Sequence, residues 1–149
     1  MEDIEPDNTP MSIIIAARNE AHNLQEFLPF ILKQDYPNFE VLVVNDGSTD
    51  NTELLLAEMT KEFKHLRVFN RPGEGKKKAI SFAIAEAHHE RLLFTDADCF
   101  PASLAWANKL SSGLQEHDLV FAPVGLIGPK SFLAGLMSCV NFQHSLLFQ

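Results

Sequence analysis

A chain of 149 residues can bury the core of one domain, and its 46% hydrophobic and 21% charged content is that of an ordinary globular protein. Twelve basic against twenty acidic residues give a formal net charge of -8, which excludes a nucleic-acid binder relying on a phosphate-seeking surface but leaves room for a local nucleotide site. Cys99 and Cys139 have no close spacing and no signal-like amino terminus precedes them, so a reducing, cytoplasmic compartment is expected.

Residues 1–10 are acidic, rich in turn formers and without periodicity, which predicts a tail or linker. Met11 to Ala17, Met-Ser-Ile-Ile-Ile-Ala-Ala, is β-branched and apolar and predicts a first strand buried on both faces. It ends in Arg18-Asn19-Glu20. Asn23 with Glu26 three residues on resembles a capping box, and Leu24, Phe27, Leu28 and Ile31 then recur at helical spacing with Pro29 inside. After a turn at Asp35-Tyr36-Pro37-Asn38, Phe39 to Val44 predicts a second strand. It runs into Asn45-Asp46-Gly47-Ser48-Thr49-Asp50, where Asp46 falls at the strand's carboxyl end and Gly47 permits a tight turn. Asp50 with Glu53 predicts a second capping signature, for a helix through Leu54, Leu55, Met59 and Phe63.

Leu66 to Asn70 predicts a third strand. The loop after it, Arg71-Pro72-Gly73-Glu74-Gly75-Lys76-Lys77-Lys78, is basic, punctuated by glycine and opens a helix through Ile80, Ile84 and Ala87. A helix amino terminus with lysines nearby can hold an anion, and Lys76 is the candidate, whereas Lys77 and Lys78 read equally well as a solvated charge run. The spacing is not that of a Walker loop. His88 and His89 fall at the helix end, where capping is the expected role, and no metal spacing unites the six histidines.

Leu92 to Thr95 predicts a fourth strand, which delivers Asp96 and Asp98. Side chains repeat with period two, so the two carboxylates would point the same way if the strand continued. Two hard oxygen ligands suit a divalent cation such as Mn or Mg, although acidic residues also end strands and begin turns with no ion present. Pro101 sits where a first helical residue would, ahead of Leu104, Trp106, Ala107 and Leu110. Leu119 to Val124 predicts a fifth strand, and Ser131 to Phe148 an apolar helix that is interrupted by Asn141, Gln143 and His144 and falls short of a membrane span. Strands alternating with helices imply a three-layer, mainly parallel α/β sheet with helices on both faces. Ligands in such sheets bind at the carboxyl ends of the strands.

Taken in order, residues 12–20, 41–50, 75–79 and 95–98 resemble the amino-terminal part of a family 2 glycosyltransferase, the inverting class with the GT-A, Rossmann-like fold. The resemblance covers Met11 to about Val124, and the Asn-Asp-Gly-Ser-Thr-Asp loop joined to a later Asp-x-Asp is far more specific than either half. It implies a nucleotide-sugar donor, with UDP as the expected carrier, and transfer to a saccharide or lipid acceptor assisted by a divalent metal. By the same resemblance Ala16, Ala17, Arg18 and Glu20 line the nucleoside pocket, Asp46 accepts a hydrogen bond from uracil, Lys76 belongs to the nucleotide site, Asp96 reaches ribose or metal and Asp98 holds the cation. Where the family usually continues the lysine motif with Asn and Gly, this chain has Ser81 and Ala83. The implied organisation is a nucleotide-sugar domain over 11–130 and, at 131–149, the start of an acceptor-side region. The catalytic base is expected beyond Gln149, in a longer enzyme associated with the cytoplasmic face of a membrane. The fragment alone is expected to be inactive, and 131–149 to drive self-association.

Three rivals share parts of this pattern. A haloacid-dehalogenase-like phosphatase carries its Asp-x-Asp on the first strand, whereas three strands precede it here and Cys99 follows. A sugar nucleotidyltransferase would need a glycine-rich phosphate loop where this chain has Ala16-Ala17-Arg18-Asn19-Glu20. The third is a nucleotide-binding module without catalysis.

Overall fold

The computed structural model describes residues 8–120 and 122. Four strands, β1 (Met11–Ala17), β2 (Phe39–Asp46), β3 (Leu66–Arg71) and β4 (Arg91–Phe94), alternate with helices α1 (Ala21–Leu32), α2 (Thr52–Glu62), α3 (Lys76–Glu86) and α4 (Trp106–Gly113). Every pairing is parallel and the sheet order is β3-β2-β1-β4. The chain therefore builds outward from β1 through β2 to β3 and then returns to the other side of β1. That reversal opens a crevice between the carboxyl ends of β1 and β4.

Strand periodicity sorts the core into two layers. Met11, Ile13, Ile15 and Ala17 of β1 face the same way as Val41, Val43 and Leu93, and onto them pack Leu24, Leu28, Ile31 and Leu32 of α1, Leu56 of α2 and Ala107 and Leu110 of α4. The opposite face is thinner. Ile14 and Val44 meet Ala79 and Ala83, whose small side chains bring α3 close to the sheet, with Phe69 and Phe82 edge to face at 5.2 Å. Each fully buried Leu or Ile contributes roughly 1.5–3 kcal/mol, so the larger layer dominates stability.

A second buried network is polar and lies at the amino-terminal end of the sheet, away from the crevice. Glu40, only 6% exposed, accepts from Ser12 Oγ at 2.7 Å, from the His88 amide at 2.7 Å and from Arg67 Nη1 at 3.0 Å. Arg67 also donates to the Glu86 carbonyl at the end of α3. The network ties the α3–β4 connection to β2 and β3.

Several boundaries differ from expectation for local reasons. Asn23 and Glu26 form no capping box: α1 starts two residues before Asn23, whose side-chain amide donates to Glu20 Oε2 at 2.7 Å. Pro29 lies within α1, which continues to Leu32. β2 runs on to Asp46 because its partner β3 runs on to Arg71. His88 serves Glu40 through its backbone amide and, at 3.0 Å, through Nδ1, instead of capping α3, whose last carbonyl goes to Arg67. Pro101 is not the first helical residue, since α4 begins at Trp106 after a turn. Leu119, Val120 and Ala122 pack on the larger core layer without strand assignment. The remainder of the expected fifth strand and the helix over 131–148 lie outside the described residues. No helix among the described residues is long and apolar enough to cross a membrane.

Candidate functional site

A cleft of about 340 Å³ opens at the crevice and is lined by Ala16, Ala17, Arg18, Glu20, Asp46, Gly75, Lys76, Asp96, Ala97 and Asp98. All eight site residues nominated from the sequence reach it. Gly75 and Ala97 are the additions, each a chain neighbour of a nominated residue.

Two loops build one wall. Asn19 adopts φ 56°, a left-handed conformation that Asn tolerates better than most residues. From there its amide donates to Ser48 Oγ at 2.8 Å, while its Oδ1 accepts from the Thr49 amide at 2.7 Å. The Glu20 amide donates to Thr52 Oγ1 at 3.1 Å and the Ala21 amide to Asp50 Oδ2 at 3.3 Å. Asp50 also accepts from the Thr52 amide at 3.0 Å, so one carboxylate satisfies first-turn amides of both α1 and α2. The capping expectation for Asp50 holds in this form, from two residues before the first residue of α2, Asn51 occupying the cap position itself. Glu53 completes no capping box and instead accepts from Asn70 Nδ2 at 3.2 Å. The Ser-Thr-Asp end of the motif thus shapes the loop that presents Arg18 and Glu20 to the cleft.

Asp46 is 4% exposed and ends β2 at the cleft floor. Its Oδ1 accepts from the Glu74 amide at 2.9 Å and its Oδ2 from the Gly75 amide at 2.7 Å. This clamp draws the basic loop over the strand end, and each carboxylate oxygen keeps a further lone pair. The approach is tight at Gly47, where an added Cβ would lie 2.8 Å from Gly73 Cα and 2.9 Å from Gly73 N. Gly75 precedes α3, and Lys76, its first residue, reaches across the cleft to Asp96, Nζ to Oδ1 2.5 Å.

The Asp pair is brought together by a turn and not by a continuing strand. β4 ends at Phe94, and the Cys99 amide donates to the Asp96 carbonyl at 3.1 Å. Ala97 is buried beneath this turn. Donor atoms of Asp96, Asp98 and Cys99 all lie within 4.8 Å of one another. Burial, reinforced by the charges of Asp98 and Asp96, pushes the Cys99 thiol up to about 11. The thiol stays protonated at neutral pH, so the two carboxylates are the hard, charged donors and fit a Mn or Mg ion better than a soft one. Cys99 is accordingly expected to alkylate at pH 7.5 about tenfold more slowly than an ordinary thiol, the loss of thiolate being partly offset by the higher nucleophilicity of a more basic one, as measured by mass spectrometry of its peptide. Reaction at an ordinary rate would show that the turn opens in solution.

A family model described as Glycosyl transferase family 2 matches residues 12–146. The chain is 33% identical over 88 residues to a poly-beta-1,6-N-acetyl-D-glucosamine synthase of Staphylococcus epidermidis, a match covering 59% of this chain and 21% of that protein. It is 34% identical over 98 residues to a beta-monoglucosyldiacylglycerol synthase of Nostoc sp., covering 62% and 21%. Among solved structures, S. aureus TarS in complex with UDP-GlcNAc aligns with a TM-score of 0.70 at 28% identity, covering 83% of this chain and 37% of that one. Mannosyltransferase PcManGT from Pyrobaculum calidifontis, in complex with GDP-Man and Mn2+, aligns at 0.68 and 28%, covering 83% and 36%. The chain thus spans about a fifth of the length of these curated relatives and less than two-fifths of these structures.

Proposed function

The chain belongs to glycosyl transferase family 2, and from that membership we propose that it forms the donor side of an enzyme moving a sugar from a nucleoside diphosphate, with uridine as the base, to an acceptor hydroxyl with inversion. The observation that carries this reading is the cleft at the sheet's reversal point, which gathers Asp46, Lys76 and the Asp96–Asp98 pair from three separate segments. Its chemistry is graded to fit a nucleotide sugar. Asp46 offers the imide N–H of uracil a carboxylate already oriented by two amides, and Lys76 offers the diphosphate an ammonium at a helix amino terminus. Asp96 and Asp98 would hold a divalent ion, whose charge would offset that gathering on the departing diphosphate. The proteins bound to UDP-GlcNAc and to GDP-Man with Mn2+ support donor binding and metal use of this kind. The family match sets aside the phosphatase and nucleotidyltransferase alternatives.

Calorimetry tests the reading. UDP is expected to bind in the presence of Mn2+ and to lose most of its affinity on chelation, and Asp98→Asn to weaken the metal-dependent binding by roughly 1.5–3 kcal/mol. Equal affinity with and without chelator would remove the metal role. A turnover assay on the same preparation separates transfer from binding alone. Base selection gives a second expected result: Asp46→Ala should erode the preference for UDP over CDP. A wild-type ratio in that variant, measured alongside its thermal stability, would reduce Asp46 to an anchor for the Glu74–Gly75 loop.

A further inference from the structure

The Asp96 carboxylate faces two cations. One is the divalent ion proposed above, for which Asp96 and Asp98 offer donor atoms less than 4.8 Å apart. The other belongs to the chain itself, the Lys76 ammonium, 2.5 Å from Asp96 Oδ1. Its neighbours are placed differently: Lys78 pairs with Glu74 at 3.2 Å, and Lys77 has no ion pair among the described residues. Resting on the donor-site reading, we propose that Lys76 and the divalent ion compete for Asp96, and that the donor's diphosphate ends the competition by drawing the ammonium onto its own oxygens.

Three features of the pair make it an exchangeable contact and not a fixed strut. Both side chains remain about half exposed, 62% for Lys76 and 48% for Asp96, which puts the contact in the range of solvent-screened ion pairs, a factor of about five or less in an equilibrium. The lysine stem is a flexible four-carbon chain on the first residue of a helix, so the ammonium can swing without moving the backbone. A diphosphate offers it more oxygens and more charge than one carboxylate, and is the stronger partner. An ammonium held against Asp96 both occupies one carboxylate oxygen and repels an arriving cation. Metal alone should then bind weakly, and linkage requires that nucleotide strengthen metal binding by the same factor as metal strengthens nucleotide binding.

The experiment compares wild type, Lys76→Met and Lys77→Met, which removes the same charge one residue along. Mn2+ binding without nucleotide is read from the free-ion electron paramagnetic resonance signal, and UDP binding at saturating Mn2+ from calorimetry. Lys76→Met is expected to tighten Mn2+ alone by about two- to fivefold while weakening UDP by about tenfold or more. The two shifts have opposite sign, which loss of fold would not produce. Lys77→Met is expected to change neither as much. Unchanged or weaker Mn2+ binding in Lys76→Met, or equal tightening in Lys77→Met, would overturn the competition while leaving the donor site intact, provided wild type binds UDP with Mn2+. Wild type that binds no UDP at any metal concentration would overturn the donor-site reading and the competition with it.

Discussion

Glu40→Ala is expected to lower folding stability by about 3 kcal/mol, the lower end of the range for breaking a buried ion pair by removing one partner. The lower end applies because Arg67 keeps the Glu86 carbonyl and part of its hydration, its side chain being 26% exposed. What the variant loses is the acceptor for the Ser12 hydroxyl, the His88 amide and the Arg67 guanidinium, all brought to one side chain from three other segments. The effect should depend on pH in a definite direction. Burial raises the carboxyl, but the His88 amide, the Ser12 hydroxyl and Arg67 together outweigh it and hold Glu40 below its ordinary value of 4.5. A lowered folded pKa means that the unfolded chain binds the proton first, so the stabilisation is present above pH 4.5 and fades as pH falls from there through the folded value. Chemical denaturation of wild type and Glu40→Ala at neutral pH and at successively lower pH checks this. A stability gap that stays constant down to pH 3 would show that lost packing, and not the charge, sets the cost.

Gly47→Ala should be nearly as damaging, and its damage should reach the cleft. Gly47 has φ +70°, where a Cβ costs roughly 1–2 kcal/mol by itself. The new methyl would also press on Gly73 Cα, Gly73 N and Pro72 C at 2.8, 2.9 and 3.1 Å, all backbone atoms that cannot rotate away. Crowding of this kind adds about 1–3 kcal/mol. Relief requires the 72–75 loop to lift, and that loop carries the two amides bound to Asp46 and leads directly into Lys76. The expected result is a destabilised protein that still folds and binds UDP weakly even with Mn2+ at saturation. Gly73→Ala is the control, because its Cβ would meet nothing nearer than 3.6 Å, although its φ of +91° carries the backbone strain. If Gly47→Ala and Gly73→Ala lose equal UDP affinity, the close approach is not what positions the loop.

Much of this architecture could be read from residues in isolation. The β-branched run from Met11 to Ala17 has the observed strand boundaries because a strand buried on both faces needs no alternation and stops where polar residues begin. The strand–helix rhythm and the placing of Asp46, Asp96 and Asp98 at strand ends follow from periodicity, which is a local property, whereas Ala16, Ala17, Arg18 and Glu20 are indicated only through the resemblance to the family. Caps were less legible. Asn23 with Glu26 has capping spacing, yet the helix begins earlier, at residues whose amides are met by Asp50 and Thr52 about thirty positions away. No spacing rule within one segment can register such a partner. Nor could spacing reveal that a turn, and not a continuing strand, gathers Asp96 and Asp98, since that depends on Ala97 being buried beneath it. Glu40 shows the division most clearly: as a sequence it is one carboxylate near the start of an apolar strand. Its ionised state becomes tolerable only when parallel register sets it beside Ser12 and the chain returns Arg67 and His88 to the same end of the sheet. Local residue patterns set the strands and helices of the described region, their order and the chemistry available at their ends. Which charges meet is settled by the folding of distant segments onto one another, because an ion's free energy depends on partners and burial supplied by residues far along the chain.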